Sequence, residues 1–98
     1  MNVTLNNNAF IALDYLNEEE RKAILAAISR IGGDVEMAAP NLQRLHGASS
    51  DTYDLYLYRV DPTFRLFLKR GHSTPTQIEV MDVVRAERLR AYAQESDN

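Results

Sequence analysis

The distribution of hydrophobic and polar positions divides the chain into a helical first half and a β-rich second half. In the first half, isoleucines recur at the intervals of four and three residues that mark one face of a helix: Ile24, Ile28 and Ile31. Asn17 followed three residues later by Glu20 is typical of the capping box that begins a helix. Gly32 and Gly33 are expected to end it.

A second helix is predicted before this one. Phe10, Leu13 and Leu16 fall at roughly helical spacing, and they follow three asparagines at residues 6–8, any of which can cap a helix. Val3–Leu5 can form a short edge strand ahead of them. The first half therefore predicts two helices, preceded by one short strand.

Three short β-type runs follow in the second half: Tyr53–Val60, Phe64–Arg70 and Gln77–Val84. Asp61-Pro62-Thr63 joins the first two as a tight turn, so these strands should be antiparallel. We therefore predict an α+β fold in which two N-terminal helices pack on a small, mainly antiparallel sheet of three or four strands. Residues 1–98 form one domain on this interpretation, with a frayed tail at residues 93–98.

Period-two alternation assigns the strand residues to faces. On the first strand one face is predicted to hold Tyr53, Leu55, Leu57 and Arg59. The opposite face would hold Tyr56, Tyr58 and Val60 as a partly exposed apolar strip, suited to a bound peptide as well as to RNA. On the last strand one face is predicted to hold Ile78, Val80 and Val84.

Composition sets the broad class of protein. The chain has 98 residues, of which 45% are hydrophobic and 26% charged, and it contains no cysteine, so disulfides and thiolate chemistry are excluded. No apolar run approaches the length of a membrane span, and the first residues lack the pattern of a signal peptide. We expect a cytoplasmic protein with no membrane partner.

The net charge of −3 hides an asymmetry along the chain. Residues 1–51 hold four basic and seven acidic side chains, whereas residues 59–92 hold seven basic and four acidic ones. Cations on a small sheet can hold phosphates or an acidic partner. A dedicated nucleic-acid binder usually has a far more basic domain, so the overall acidity counts against that class.

The order of short motifs resembles the RelE/ParE toxin superfamily. A Leu-x-x-Leu-x-Gly connection at residues 42–47 precedes a hairpin carrying Tyr58-Arg59-Val60 and Phe64-Arg65-Leu66. A closing Ile-x-Val-x-x-Val strand at residues 78–83 and an Arg-x-x-x-Tyr end, Arg88 to Tyr92, complete the likeness. The similarity extends from about Asn8 to Tyr92.

This resemblance implies a function as well as a fold. Members of the superfamily are toxins of type II toxin–antitoxin systems: some cleave messenger RNA on the ribosome, others poison DNA gyrase, and an antitoxin neutralises each. Cleavage by the RNA 2′-hydroxyl needs a base, cations for the phosphorane and an acid for the leaving oxygen, without a metal. The likeness assigns phosphate stabilisation to Arg65, and proton transfer or base stacking to Arg88 and Tyr92.

Two departures leave a second hypothesis open. Ribosome-dependent nucleases of the superfamily often carry lysines where this chain has Leu55 and Leu57, and the turn at residues 61–63 is one residue longer than the common pattern. The alternative is a catalytically silent relative that acts by binding gyrase, an antitoxin or another protein.

Further binding residues for RNA or a partner are expected among side chains near the basic strands: Arg59, Lys69, Arg70, Arg85 and His72. Each has a plainer interpretation as a solvated surface residue, and Arg65 can instead pair with Asp54 or Glu79 across the sheet. No histidines and carboxylates show metal-ligand spacing, so we predict no metal and no cofactor.

Overall fold

The computed structural model describes residues 2–33, 39–47 and 49–89. Its elements, in chain order, are β1 (Asn2–Leu5), α1 (Asn7–Asp14), α2 (Glu18–Gly33), a 3₁₀ turn (Ala39–Asn41), β2 (Leu42–Arg44), β3 (Tyr53–Arg59), β4 (Phe64–Gly71) and β5 (Gln77–Arg85). A helical turn follows at 86–89. The tail expected at residues 93–98 lies outside the described residues.

The strands form one five-stranded sheet in the order β1-β5-β4-β3-β2. β1 runs parallel to β5, and every other neighbouring pair is antiparallel. The predicted α+β fold, with two N-terminal helices and a mainly antiparallel sheet, is confirmed, including the short edge strand near Val3–Leu5, but the sheet has five strands where three or four were expected. β2 was not predicted, because three residues are too few to display an alternating pattern.

An asparagine side chain caps the N-terminus of each of the two helices. The Asn6 Oδ1 accepts a hydrogen bond from the Ala9 backbone N–H at 3.1 Å. At α2 the predicted capping box is confirmed: the Glu20 N–H donates to Asn17 Oδ1 at 2.8 Å, and the Asn17 N–H donates to Glu20 Oε1 at 3.0 Å. Local sequence therefore fixes where each helix starts.

The core lies between the helices and one face of the sheet, here called the covered face. From β4 this face presents Phe64, Leu66 and Leu68, all buried. The helices contribute their periodic apolar positions: Ala9, Leu13, Ile24, Ala27 and Ile31. Because β4 is the middle strand, its alternate residues can be buried by neighbours on both sides as well as from above.

One predicted exposure and one predicted face assignment are wrong. Tyr56 and Tyr58 do not form an exposed strip; Tyr58 is 1% exposed and Tyr56 packs against the core, because they stand opposite Leu68 and Leu66 on the covered face. The register of β5 also shifts at Met81, which has no partner on β4. Beyond this bulge Val83, not Val84, shares the covered face with Val80.

The opposite side of the sheet, the open face, lacks a helical cover among the residues that the structure describes. β3 contributes Tyr53, Leu55, Leu57 and Arg59; β4 contributes Arg65, Phe67 and Lys69; β5 contributes Glu79, Asp82 and Val84. None of these residues belongs to the core cluster, and all but the exposed Arg59 are half-buried. This face is the side of the sheet that remains available for function.

We expect the Asn17→Ala substitution to lower the free energy of unfolding by about 1 kcal/mol, because it leaves the Glu20 N–H in the first turn of α2 without its side-chain acceptor. Urea unfolding followed by circular dichroism measures the change. Asn17→Asp is the matched control, since aspartate caps a helix about equally well. Equal losses in the two variants would contradict the capping role.

Candidate binding site on the open sheet face

The predicted cationic residues do not gather on one surface. Arg59, Arg65 and Lys69 lie on the open face, whereas Arg70 stands opposite Asp54 on the covered face. His72 contacts that same Asp54 from the loop after β4. Adjacent residues of a strand point to opposite faces of the sheet. The number of basic residues in this stretch of sequence is therefore larger than the number that share one face.

Arg59 and Arg65 stand directly opposite each other on β3 and β4. Like charges in this cross-strand position repel each other. Both side chains line a cleft of about 300 Å³ at the corner of the open face, together with Leu57 and Gln43. This corner cleft is completed by residues of the 3₁₀ turn and the start of β2: Pro40, Asn41 and Leu42.

The Arg65 guanidinium is held in place by backbone oxygens. Its Nη1 donates hydrogen bonds to the carbonyls of Asp61 and Phe64, the latter at 3.0 Å. Asp61 in turn fixes the turn, since its Oδ1 accepts from the Thr63 and Phe64 N–H groups at 2.8 Å each. Neither of the expected carboxylate partners, Asp54 or Glu79, holds Arg65. Backbone carbonyls carry no net charge, so these partners do not offset the positive charge of the arginine.

The rest of the open face is mixed in character. Leu57 and Phe67 stand side by side in the row next to the two arginines, and Asp82 extends that row on β5. At the far end the Lys69 ammonium lies 4.5 Å from the centre of the Tyr53 ring. The open face therefore has cations toward both ends of β3 and β4, an apolar centre between them, and the carboxylates of Asp82 and Glu79 on β5.

Arg85 and Arg88 line a different depression, a groove of about 450 Å³ beside α1. The Arg85 Nη2 lies 3.3 Å from Glu20 Oε2, and its guanidinium stacks on Phe64 at 4.9 Å. Arg65 is not among the residues that line this groove. Tyr92 lies outside the described residues. Arg65 and Arg59 thus line the same cleft, whereas Arg88 lines a different one.

His72 belongs to an ion-pair cluster. Its Nε2 lies 3.2 Å from Asp54 Oδ1, and its Nδ1 lies 2.9 Å from the Asp51 carbonyl. Arg44 also donates to Asp54 Oδ1, from Nη2 at 2.9 Å. The hydrogen bond to Asp54 raises the pKa of His72, and the same bond lowers the pKa of Asp54. Since both ring nitrogens face acceptors, the geometry suits the imidazolium form. His72 therefore ties β3 to the loops beside it.

Sequence reasoning missed the contribution of Asn41 and Gln43 to the corner cleft. These residues belong to a three-residue turn and a three-residue strand, and the pairing of β2 with β3 is what brings them beside Arg59. No motif or period marks such positions. The nearest sequence signal is the Leu-x-x-Leu-x-Gly connection at residues 42–47, whose defining positions are Leu42, Leu45 and Gly47 and include neither Asn41 nor Gln43.

The described residues carry neither a metal site nor a membrane-spanning helix. No group of three or more histidine, aspartate or glutamate side chains is arranged to hold a metal ion there. No helix in that part of the chain is long and apolar enough to cross a membrane.

Comparison with known proteins identifies one related fold. The sequence matches no protein-family model and no curated protein. The structure is similar to a chain of the archaeal RelE–RelB complex from Pyrococcus horikoshii, with a TM-score of 0.68 and 14% sequence identity. The match covers 86% of this chain and 92% of that chain. The RelE-like fold expected from the sequence motifs is therefore confirmed.

We expect the stability that His72 contributes to depend on pH. Its folded-state pKa is raised, so its contribution is complete below the unfolded-state value near 6.5 and is lost as the pH rises through the folded-state pKa. The difference in free energy of unfolding between the wild-type protein and His72→Gln should therefore be larger at about pH 5.5 than at about pH 9.

Urea unfolding at the two pH values measures that difference, and an NMR titration of the His72 ring reports its pKa directly. Asp54→Asn is the control, since removing the carboxylate should return the pKa of His72 toward its ordinary value. A titration unchanged by Asp54→Asn would show that this contact does not set the protonation state.

Proposed function

We propose that the chain is the toxin-like subunit of a bacterial type II toxin–antitoxin pair, acting in the cytoplasm. The observation that carries this proposal is the shared fold: a chain from a RelE–RelB complex matches this one over nearly its whole length. The sequence motifs at residues 42–47, in the β3–β4 hairpin and in β5 support the same assignment independently of the fold.

The proposed partner is a cognate antitoxin. Half-buried apolar side chains on the open face, such as Leu55, Leu57 and Phe67, are the kind of surface that a partner covers. The acidic net charge of the chain disfavours long-range attraction of nucleic acid and does not oppose a protein partner. The antitoxin assignment also agrees with the RelB component of the archaeal complex.

Metal-independent cleavage of messenger RNA on the ribosome is the second candidate activity. Arg65 favours it, because the side chain lies on the open face at the position that the family resemblance gives to the phosphate-binding arginine. Leu55 and Leu57 lie on the same face, where nucleases of the superfamily often carry lysine. Binding of gyrase or another protein therefore stands as the alternative mode of action.

Expression of the chain alone in bacteria tests the toxin assignment. We expect growth to stop on induction and to recover when the neighbouring small open reading frame is expressed with it. Growth arrest that no co-expressed neighbour relieves would argue against an antitoxin partner. Normal growth with abundant folded protein would contradict the toxin assignment itself.

Substitution of Arg65 separates the modes of action. If the chain is a nuclease, Arg65→Ala should lower messenger cleavage by about a hundredfold or more, since a cation at the developing phosphorane charge is lost. Mapping of cleaved messenger ends on ribosomes measures this effect. Because Arg65 also holds the β3–β4 turn, Arg65→Lys and thermal unfolding serve as controls for folding. Toxicity that persists in Arg65→Ala without cleavage would identify a protein-binding poison.

A further inference from the structure

We propose that a second copy of this chain pairs with the free half of β5, so that two sheets join edge to edge about a twofold axis beside Val84. The partner is an identical chain, and the contact is antiparallel strand addition. This pairing follows from the geometry of β5 and of α1 beside it, and it is separate from the toxin activity proposed above.

The N-terminal strand covers only half of β5. β1 pairs with residues 77–80, and its final residue, Leu5, lies opposite Val80. The Asn6 N–H donates to the Val80 carbonyl at 3.1 Å, and the chain then turns into α1. Among the described residues no strand pairs with residues 82–85 on this side, although β4 pairs with them on the other. The second half of β5 is therefore a free strand edge, which can accept another strand.

The hydrogen-bond ladder shows which backbone groups point to the free edge. The Ala86 N–H donates to the Thr63 carbonyl of the β3–β4 turn at 2.8 Å, so the backbone N–H of residue 86 faces the β4 side. In an antiparallel pair the backbone groups of successive residues alternate in direction. Those of Val84 therefore face β4 as well, whereas those of Val83 and Arg85 face the free edge.

The free edge is complementary to itself. When two copies are related by a twofold axis beside Val84, Val83 of each lies opposite Arg85 of the other. Both residues direct their N–H and C=O groups outward, so this register forms four backbone hydrogen bonds. The two Val84 side chains meet on the open face as an apolar pair. A register centred on Val83 or on Arg85 would pair only that one outward residue of each copy.

Charge complementarity favours the same antiparallel arrangement. The groove beside α1 is lined by Asp82 toward the middle of β5, and by Arg85 and Arg88 at its end and in the turn that follows. A twofold axis brings the Asp82 end of one groove against the Arg88 end of the other. In the single chain the Asp82 Oδ1 accepts from the Val83 N–H at 2.8 Å. Pairing supplies a carbonyl to that N–H and releases the carboxylate toward the arginines of the second copy.

Exposed apolar side chains of α1 stand beside the free edge. Ile11 is 55% exposed and Tyr15 is 85% exposed, and both line the groove. A twofold axis perpendicular to the joined sheet keeps both α1 helices on the same side of it, so these side chains meet across the axis. The contact is small beside a standard interface of about 1,600 Å², so the dimer should be weak and should depend on concentration.

Sedimentation velocity of the full chain, from about 10 µM to about 1 mM, tests the pairing over the range expected of a small interface. We expect the average mass to rise from one chain toward two. Val84→Glu should weaken association about tenfold or more, because it sets two like charges directly opposite each other. Arg65 stands opposite Val84 on β4, so the introduced carboxylate has a cation beside it and the fold should persist, which circular dichroism checks. A wild-type chain that stays monomeric throughout would overturn the proposal.

Matched variants locate the contact. Leu55→Glu places the same carboxylate opposite Lys69, two strands away from β5, and should associate as the wild-type protein does. Loss of the dimer in Leu55→Glu but not in Val84→Glu would move the contact to the open face and overturn the edge assignment. Tyr15→Ser should weaken association several-fold, whereas Phe10→Ser, at a 57% exposed residue of α1 that does not line the groove, should not. Equal effects of these two variants would indicate unspecific association and overturn the twofold contact.

Amide hydrogen exchange identifies the occupant of the edge. Exchange of the Val83 and Arg85 N–H groups should slow as the concentration rises, whereas the Val84 N–H, which faces β4, should exchange slowly throughout. Slow exchange at both edge residues in a monomeric chain would show that another segment of the same chain, such as residues 90–98, covers the edge, and would overturn the second copy as its occupant. None of these measurements uses growth, so a non-toxic chain that dimerises would keep this inference while losing the proposed function.

Discussion

The burial of alternate β4 residues beneath two helices is the constraint on which the rest of the structure depends. Leu66 is 0% exposed and stands between Tyr58 on β3 and Val83 on β5. Leu68 is 1% exposed and stands between Tyr56 and Val80 on the same two strands. A shift of register by one residue would move these leucines to the opposite side and place Arg65 and Lys69 in the core. The high cost of burying unpaired charge therefore fixes the register.

The same alternation creates the open face. Once Phe64, Leu66 and Leu68 point to the helices, Arg65, Phe67 and Lys69 must point away from them. Pairing with β3 then sets Arg59 against Arg65, and the 3₁₀ turn with β2 closes the cleft beside them. The placement of both arginines on one face is thus a consequence of how the core is built, and the 3₁₀ turn and β2 supply the remaining wall of the cleft.

The bulge at Met81 alters this scheme on β5. The extra residue allows Val80 and Val83 both to face the helices, and it turns Asp82 and Val84 toward the open face. The Asn6 Nδ2 contacts the Met81 Sδ at 3.8 Å, so the N-cap residue of α1 lies against the bulge. The extra residue thereby sets Asp82 opposite Phe67, where its Oδ1 accepts a hydrogen bond from the Val83 N–H at 2.8 Å.

Much of the fold was predictable from local signals, because each lies within a few residues of sequence. Asn17 and Glu20 specify the start of α2, three isoleucines specify its buried side, and alternation specifies β3 and β4. The resemblance in motif order correctly indicated the RelE-like fold. The basic hairpin in the sequence also identified Arg59 and Arg65 as candidate binding residues.

Which candidates meet was decided only by the tertiary structure. Tyr58 is buried because the helices pack on its side of the sheet. Val84 faces the other side because of the single extra residue at the β5 bulge. The separation of Arg65 from the groove that holds Arg88, and the capture of His72 by Asp54, depend on contacts between residues far apart in the chain. The sequence by itself determined the helices, the strands and the charges that they carry, because these are local properties. Which residues become neighbours was decided by tertiary packing, because burial is a property of the whole molecule.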